Sequence, residues 1–149
     1  MLKHLLAASG VAAALLPFAS TSAMAATPVV QITKVYYDSP GSDRGGNASL
    51  NGEYVVLRNT SKKSIQLEKW ILRDETGYKY RFPRFILKPG KSVTVRSGQG
   101  YTSSTTLYWG RKWYVWNNDG DTASLYRGSD LKKIDTCSWG RGGISTRCQ

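Results

Sequence analysis

An all-β sandwich, two sheets of short antiparallel strands packed face to face in one domain, is the fold this sequence predicts. Three observations predict it. Apolar and polar residues alternate with a period of two, most cleanly where Tyr78, Tyr80 and Phe82 face one way and Lys79 and Arg81 the other. Turn residues cut the chain about every ten residues, the spacing of a sandwich of roughly seven to nine strands. No amphipathic helix of useful length, coiled coil or internal repeat interrupts that rhythm.

The first 25 residues stand apart. Met1-Leu2-Lys3-His4 is a short basic start, Leu5 to Leu16 is apolar, and Ala23-Met24-Ala25 ends the stretch with small residues at its first and third positions. This order is that of a signal peptide cleaved after Ala25. The apolar run is shorter than the ~20 residues a spanning helix needs, so no membrane insertion is expected once it is removed. The expected organisation is therefore a removed leader over 1–25, a domain over 26–140 and a C-terminal tail over 141–149.

Within the domain, Val29 to Tyr37 is β-branched and aromatic and reads as the first strand. Asp38 to Asn51 is a loop rich in Gly, Ser, Asp and Asn, long for a compact domain and so either mobile or functional, with mobility the favoured reading. Glu53 to Asn59 is a strand, followed by a short one at Ile65 to Leu67. Trp70 to Asp74 and Tyr78 to Phe82 form a hairpin around Glu75-Thr76-Gly77. Pro83 ends that pair because it lacks the ladder donor. Lys88-Pro89-Gly90-Lys91 has the order of a type II turn. Val93 and Val95 point inward on the next strand. Leu107 to Trp116 is dense in aromatics, Asn117 to Asp121 is a tight turn, Ala123 and Leu125 point inward, and Lys133 to Trp139 is the last strand. Trp70, Leu72, Tyr80, Phe82, Val93, Val95 and Leu125 are expected in the core, with Trp116 and Trp113.

The chain carries 21 Lys and Arg against 10 Asp and Glu, a net charge of +11 that becomes +10 when Lys3 leaves with the leader. Such a surplus favours acidic partners. The single histidine is His4, also in the leader. Cys137 and Cys148 are expected to pair, because exported chains fold in an oxidising compartment. A loop this short contributes about 3 kcal/mol in the chain-entropy picture.

These composition facts narrow the chemistry. A nucleophile needs a neighbouring base, and after leader removal there is no histidine and both thiols are joined. No catalytic residue, cofactor or metal is expected. Asn117-Asn118-Asp119-Gly120-Asp121 invites a calcium reading, but no Glu follows at the distance a calcium loop uses, and Asp-Gly is a common turn. Glu53 reads as a structural carboxylate bonding loop backbone.

Taken together, Asn51-x-Glu53-Tyr54-Val55-x-Leu57-x-Asn59, Trp70-x-Leu72-x-Asp74, Phe82-Pro83, Leu87-x-Pro89-Gly90, Val93-x-Val95, Gly98-x-Gly100, Trp116-Asn117-Asn118-x-Gly120-Asp121-x-Ala123-x-Leu125 and Asp135 resemble the lamin tail domain. The resemblance covers roughly Val29 to Trp139 and implies an immunoglobulin-like β-sandwich. The sequence lacks the coiled-coil rod of nuclear lamins and has an export signal, so it looks like the secreted, free-standing bacterial members. Related domains attached to exported nucleases, phosphoesterases and proteases act as accessory or binding modules, which implies a binding rather than a catalytic role.

For a ligand site, Trp109, Arg111 and Lys112 stand out, a tryptophan and two cations around Gly110 at an expected hairpin tip. Exposed aromatics with basic neighbours suit sugars or nucleic-acid bases. The expectation is a secreted, non-catalytic module that binds acidic polymers or nucleic acid. The alternatives are a neutral-glycan binder, or a structural domain with a protein partner.

Overall fold

The structure, a computed structural model, describes residues 25–148. The expected leader lies outside the described residues but for Ala25. In chain order the described elements are β1 (Val30–Tyr36), α1 (Asn47–Leu50), β2 (Tyr54–Asn59), β3 (Ile65–Gln66), β4 (Ile71–Arg73), β5 (Lys79–Arg81), β6 (Ile86–Leu87), β7 (Ser92–Arg96), β8 (Thr106–Tyr108), β9 (Asp121–Tyr126), β10 (Lys133–Trp139) and β11 (Ser145–Arg147). A five-stranded sheet runs β11-β1-β2-β7-β8, a four-stranded sheet runs β10-β9-β4-β5, and β3 with β6 forms a two-stranded ribbon. All neighbours pair antiparallel except β7 and β8, which are parallel. The chain is a β-sandwich of the immunoglobulin-like kind.

Alternation decides which side of each strand faces the core. On β2, Val55 and Leu57 are fully buried between the sheets, whereas Tyr54 and Val56 are half-buried and Arg58 exposed on the outer face. Every core residue expected from the alternation is buried: Trp70, Leu72, Tyr80, Phe82, Val93, Val95 and Leu125. Burying a side chain of this size stabilises a fold by about 1.5–3 kcal/mol. Part of the core is a run of aromatic rings. Phe82 meets Tyr80 edge-on at 4.9 Å, Tyr80 meets Trp109 at 5.7 Å, Trp109 meets Trp116 at 5.8 Å, Trp116 meets Trp139 at 5.9 Å, and Trp139 stacks flat on Tyr37 at 4.9 Å.

Two turns have the expected form. Lys91 N–H donates to the carbonyl of Lys88 at 3.1 Å, and Gly90, with φ +69°, takes the left-handed position of a type II turn. Arg73 pairs with Lys79 across the β4–β5 hairpin, where Asp74 Oδ1 accepts the N–H groups of Gly77 and Tyr78 at 2.8 and 2.7 Å.

Three expectations change. The described strands number eleven rather than seven to nine, because β6 and β11 are too short or too polar to show a period. Lys133–Trp139 is therefore not the last strand: Ser145–Arg147, expected in a tail, is the edge strand beside β1, with Lys34 opposite Arg147 and Tyr36 opposite Ser145. The Asp38–Asn51 loop is not loose. Leu50 is buried, Ser49 Oγ bonds Ser39 Oγ at 3.0 Å and Tyr114 Oη at 2.6 Å, and Asn47 Nδ2 donates to the Gln99 carbonyl at 3.0 Å.

The two sheets are also joined along one edge. Cys137 on β10 is disulfide-bonded to Cys148, which follows β11, with their Cα atoms 5.6 Å apart. Cys148 N–H donates to the Thr33 carbonyl at 3.0 Å, and Asp135 Oδ2 on β10 accepts the Ile32 N–H at 2.7 Å. That carboxylate sits where the β1–β2 register shifts between Ile32 and Lys34, and it satisfies a donor the bulge turns out of the ladder.

Candidate functional site

Glu53 organises one end of the sandwich. It lies just before β2, fully buried, and its Oε1 accepts Ser97 Oγ at 2.8 Å and the N–H groups of Val115 and Trp116, both at 2.9 Å. One oxygen thus ties the end of β7 and the aromatic connection to the start of β2, the structural role the sequence suggests. Burial raises the Glu53 pKa from 4.5 to about 7, against the lowering effect of its three donors; Asp43 adds a smaller upward push.

The expected site of Trp109, Arg111 and Lys112 is only partly assembled. After β8 the chain does not form a hairpin. It folds back along the end of β7, with Gly110 N–H donating to the Gly98 carbonyl and Arg111 N–H to the Ser97 carbonyl, both at 2.9 Å. Trp109 is half-buried in the aromatic run between Tyr80 and Trp116 and is not an exposed platform. Arg111 lays its guanidinium over the ring of Tyr78 at 4.0 Å, and Lys112 is exposed. Arg111 and Lys112 line a shallow cavity of about 160 Å³ with Gly45, Asn47, Leu50 and Gln99. The exposed tryptophan is Trp113, 57 % accessible, which was expected in the core; its ring lies over Gly45 and meets Tyr114 edge-on at 5.4 Å. Alternation could not separate the two, because only Thr106–Tyr108 of this segment is a strand.

A second arrangement escaped the sequence reading. On the outer face of the five-stranded sheet, pairing sets Tyr36 opposite Tyr54, Tyr54 opposite Arg96, and Arg96 opposite Tyr108 in one row across four strands. The Tyr36 and Tyr54 rings stack with centroids 5.3 Å apart and planes 17° from parallel. Lys34 Nζ lies 5.3 Å from the Tyr36 centroid and 5.8 Å from that of Tyr54, and the Arg96 guanidinium carbon lies 5.2 Å from Tyr54. Arg96 Nη1 also donates to the Asn51 carbonyl at 2.6 Å. None of the five strands contains an Asp or Glu, while Lys34, Arg58, Arg96 and Arg147 lie on them. Outward positions were legible strand by strand; the row depends on register, which alternation alone does not fix.

Elsewhere the acidic groups are turned to structural ends. Asp121 Oδ1 accepts the N–H of Glu75 at 3.0 Å and of Thr122 at 2.8 Å, and its Oδ2 accepts the N–H of Asn117 at 3.1 Å. Among the described residues two ion pairs form, Arg127 with Asp130 at 2.6 Å and Arg141 with Asp119 at 3.5 Å, both well exposed to solvent.

The sequence has a counterpart among known families. The family model described as Lamin Tail Domain matches residues 23–141, most of the chain and nearly the whole sandwich.

Proposed function

The chain belongs to the lamin tail domain family, and on that premise we propose that it is an exported, non-catalytic interaction module that binds acidic polymers of the cell exterior. The family is one of non-catalytic immunoglobulin-like domains, which supports the interaction role. The Cys137–Cys148 bond is compatible with a place outside the cell, and among the described residues no helix is long and apolar enough to cross a membrane.

The observation that carries the reading is cationic surface without carboxylate partners. Of the 20 Lys and Arg among the described residues (21 less Lys3), two form an ion pair with an acid, and the larger sheet has cations on its strands and no acid. Single exposed pairs contribute about 0–1 kcal/mol, so a polymer has to be held by several contacts together. Arg111 and Lys112 add two more cations at the loop end.

The test is a binding isotherm of the mature chain for DNA and for an acidic cell-wall polymer at two salt concentrations. The expected result is an affinity that falls as a power of salt concentration. Arg111→Ala with Lys112→Ala measures the loop end's share. Binding to neutral glycan that ignores salt and is lost on Trp113→Ala, at the exposed tryptophan, would replace this reading. So would a salt-independent complex with a protein partner.

A further inference from the structure

We propose that the outer face of the five-stranded sheet is a binding site for a linear phosphodiester polymer, recognised through its backbone and not its bases. The inference rests on the acidic-polymer reading and names where, and by what chemistry, that binding takes place. Three observations carry it.

The first is the charge of the face. Lys34 and Arg147 are cross-strand neighbours on β1 and β11, Arg96 lies two strands away on β7, and no Asp or Glu lies on any strand between them. The second is order. Lys34 and Arg96 are held against the stacked rings of Tyr36 and Tyr54, so both cations are positioned before any ligand arrives. Less side-chain freedom is then lost on binding.

The third observation decides the ligand class. The rings of Tyr36 and Tyr54 face each other. One face of each ring is closed by the other, Arg96 lies by Tyr54 and Lys34 sits beside the edge of both rings, so the pair offers a base ring edges and the outer face of Tyr36 alone, and recognition falls chiefly to charge and to hydrogen-bond donors. Arg96 has one Nη committed to the Asn51 carbonyl, and Lys34 offers a compact point charge. That set suits phosphate better than the planar fork-on-fork contact typical of carboxylate. The anchored strand β11 is part of the site, because the Cys137–Cys148 bond fixes the strand that sets Arg147 beside Lys34.

The experiment compares three single-chain probes of equal charge, a DNA oligonucleotide, an abasic deoxyribose-phosphate chain and a uronic-acid polymer, against the disulfide-bonded mature protein. Lys34→Gln/Arg147→Gln is tested beside Lys79→Gln/Arg81→Gln, which removes the same charge from exposed positions of β5 in the other sheet. Arg96→Gln is a second, independent variant, and thermal melts confirm that each folds. DNA and the abasic chain should bind alike, within about 2-fold, and better than the uronate. The β1/β11 pair should lower affinity at least ~10-fold and reduce the salt slope by about 1.4, while the β5 pair changes affinity less than ~3-fold. Equal losses in the two double variants, or DNA binding that the abasic chain does not share, would overturn the inference. A uronate preference would overturn the phosphodiester assignment. Absence of salt-dependent binding to all three probes would instead overturn the acidic-polymer reading beneath it.

Discussion

The backbone N–H of Trp116 donates to Oε1 of Glu53 at 2.9 Å, and this bond fastens the aromatic connection to the head of β2. The same oxygen serves Val115 and Ser97, so three donors from two segments depend on one buried carboxyl. Glu53→Ala strands all three and is expected to destabilise the fold by ~3–5 kcal/mol in a urea titration, since each buried unpaired group costs about 1–3 kcal/mol. Glu53→Gln keeps an acceptor oxygen in place and should lose less.

Glu53 also sets a pH dependence. Its folded pKa, about 7, lies above the ordinary 4.5, so between those values the folded state holds a proton that the unfolded chain has released. Stability from this group is fully present below the unfolded pKa and is lost as pH rises toward 7. Burial pushes Asp121 and Asp135 upward too, with the same sign at lower pH. The Arg127–Asp130 pair acts in the opposite direction but is solvent-screened. Melting should therefore be higher at pH 5 than at pH 8, and Glu53→Gln should flatten most of that difference. An unchanged slope in the variant would assign the effect elsewhere.

Trp109 and Trp113 should respond unequally to truncation. Trp109 is wedged between Tyr80 and Trp116, and Trp109→Ala is expected to cost about 2–3 kcal/mol. Trp113 is mostly exposed, and Trp113→Ala should cost under about 1 kcal/mol. Urea midpoints of the two variants check the order.

Reducing the disulfide should act first on one edge. The bond closes a separation of 11 residues, and its loss is expected to lower stability by about 3 kcal/mol. Hydrogen exchange should quicken at Cys148, whose N–H bonds Thr33, and in the β11 ladder before it quickens in β2 or β7. Uniform acceleration across both sheets would show that the bond supports the whole sandwich instead.

The Asn117–Asp121 turn is expected to hold without calcium. Both carboxylate oxygens of Asp121 accept backbone N–H groups, so the turn has internal partners for the charge a cation would otherwise balance. Melting temperatures with calcium and with chelator should agree within about 1 °C; a calcium-dependent rise of several degrees would mean preferential binding to the folded state.

The sequence by itself determined what depends on neighbours along the chain. Alternation named the core positions, because side chains of a strand point to opposite faces in turn. Pro89-Gly90 named its turn, because Gly90 takes a left-handed conformation that most side chains resist. The order of these pieces was enough for the family, and the two cysteines for their bond. The tertiary structure decided everything that depends on register and on loops. It sent Trp109 inward and Trp113 outward, since outside a strand no period assigns a face. It made an edge strand of Ser145–Arg147, whose pairing comes from β1 and the disulfide and not from its own apolar residues. It also brought Tyr36, Tyr54, Arg96 and Tyr108 into one row. These residues are far apart in the chain, and only the hydrogen-bond register between strands sets them side by side.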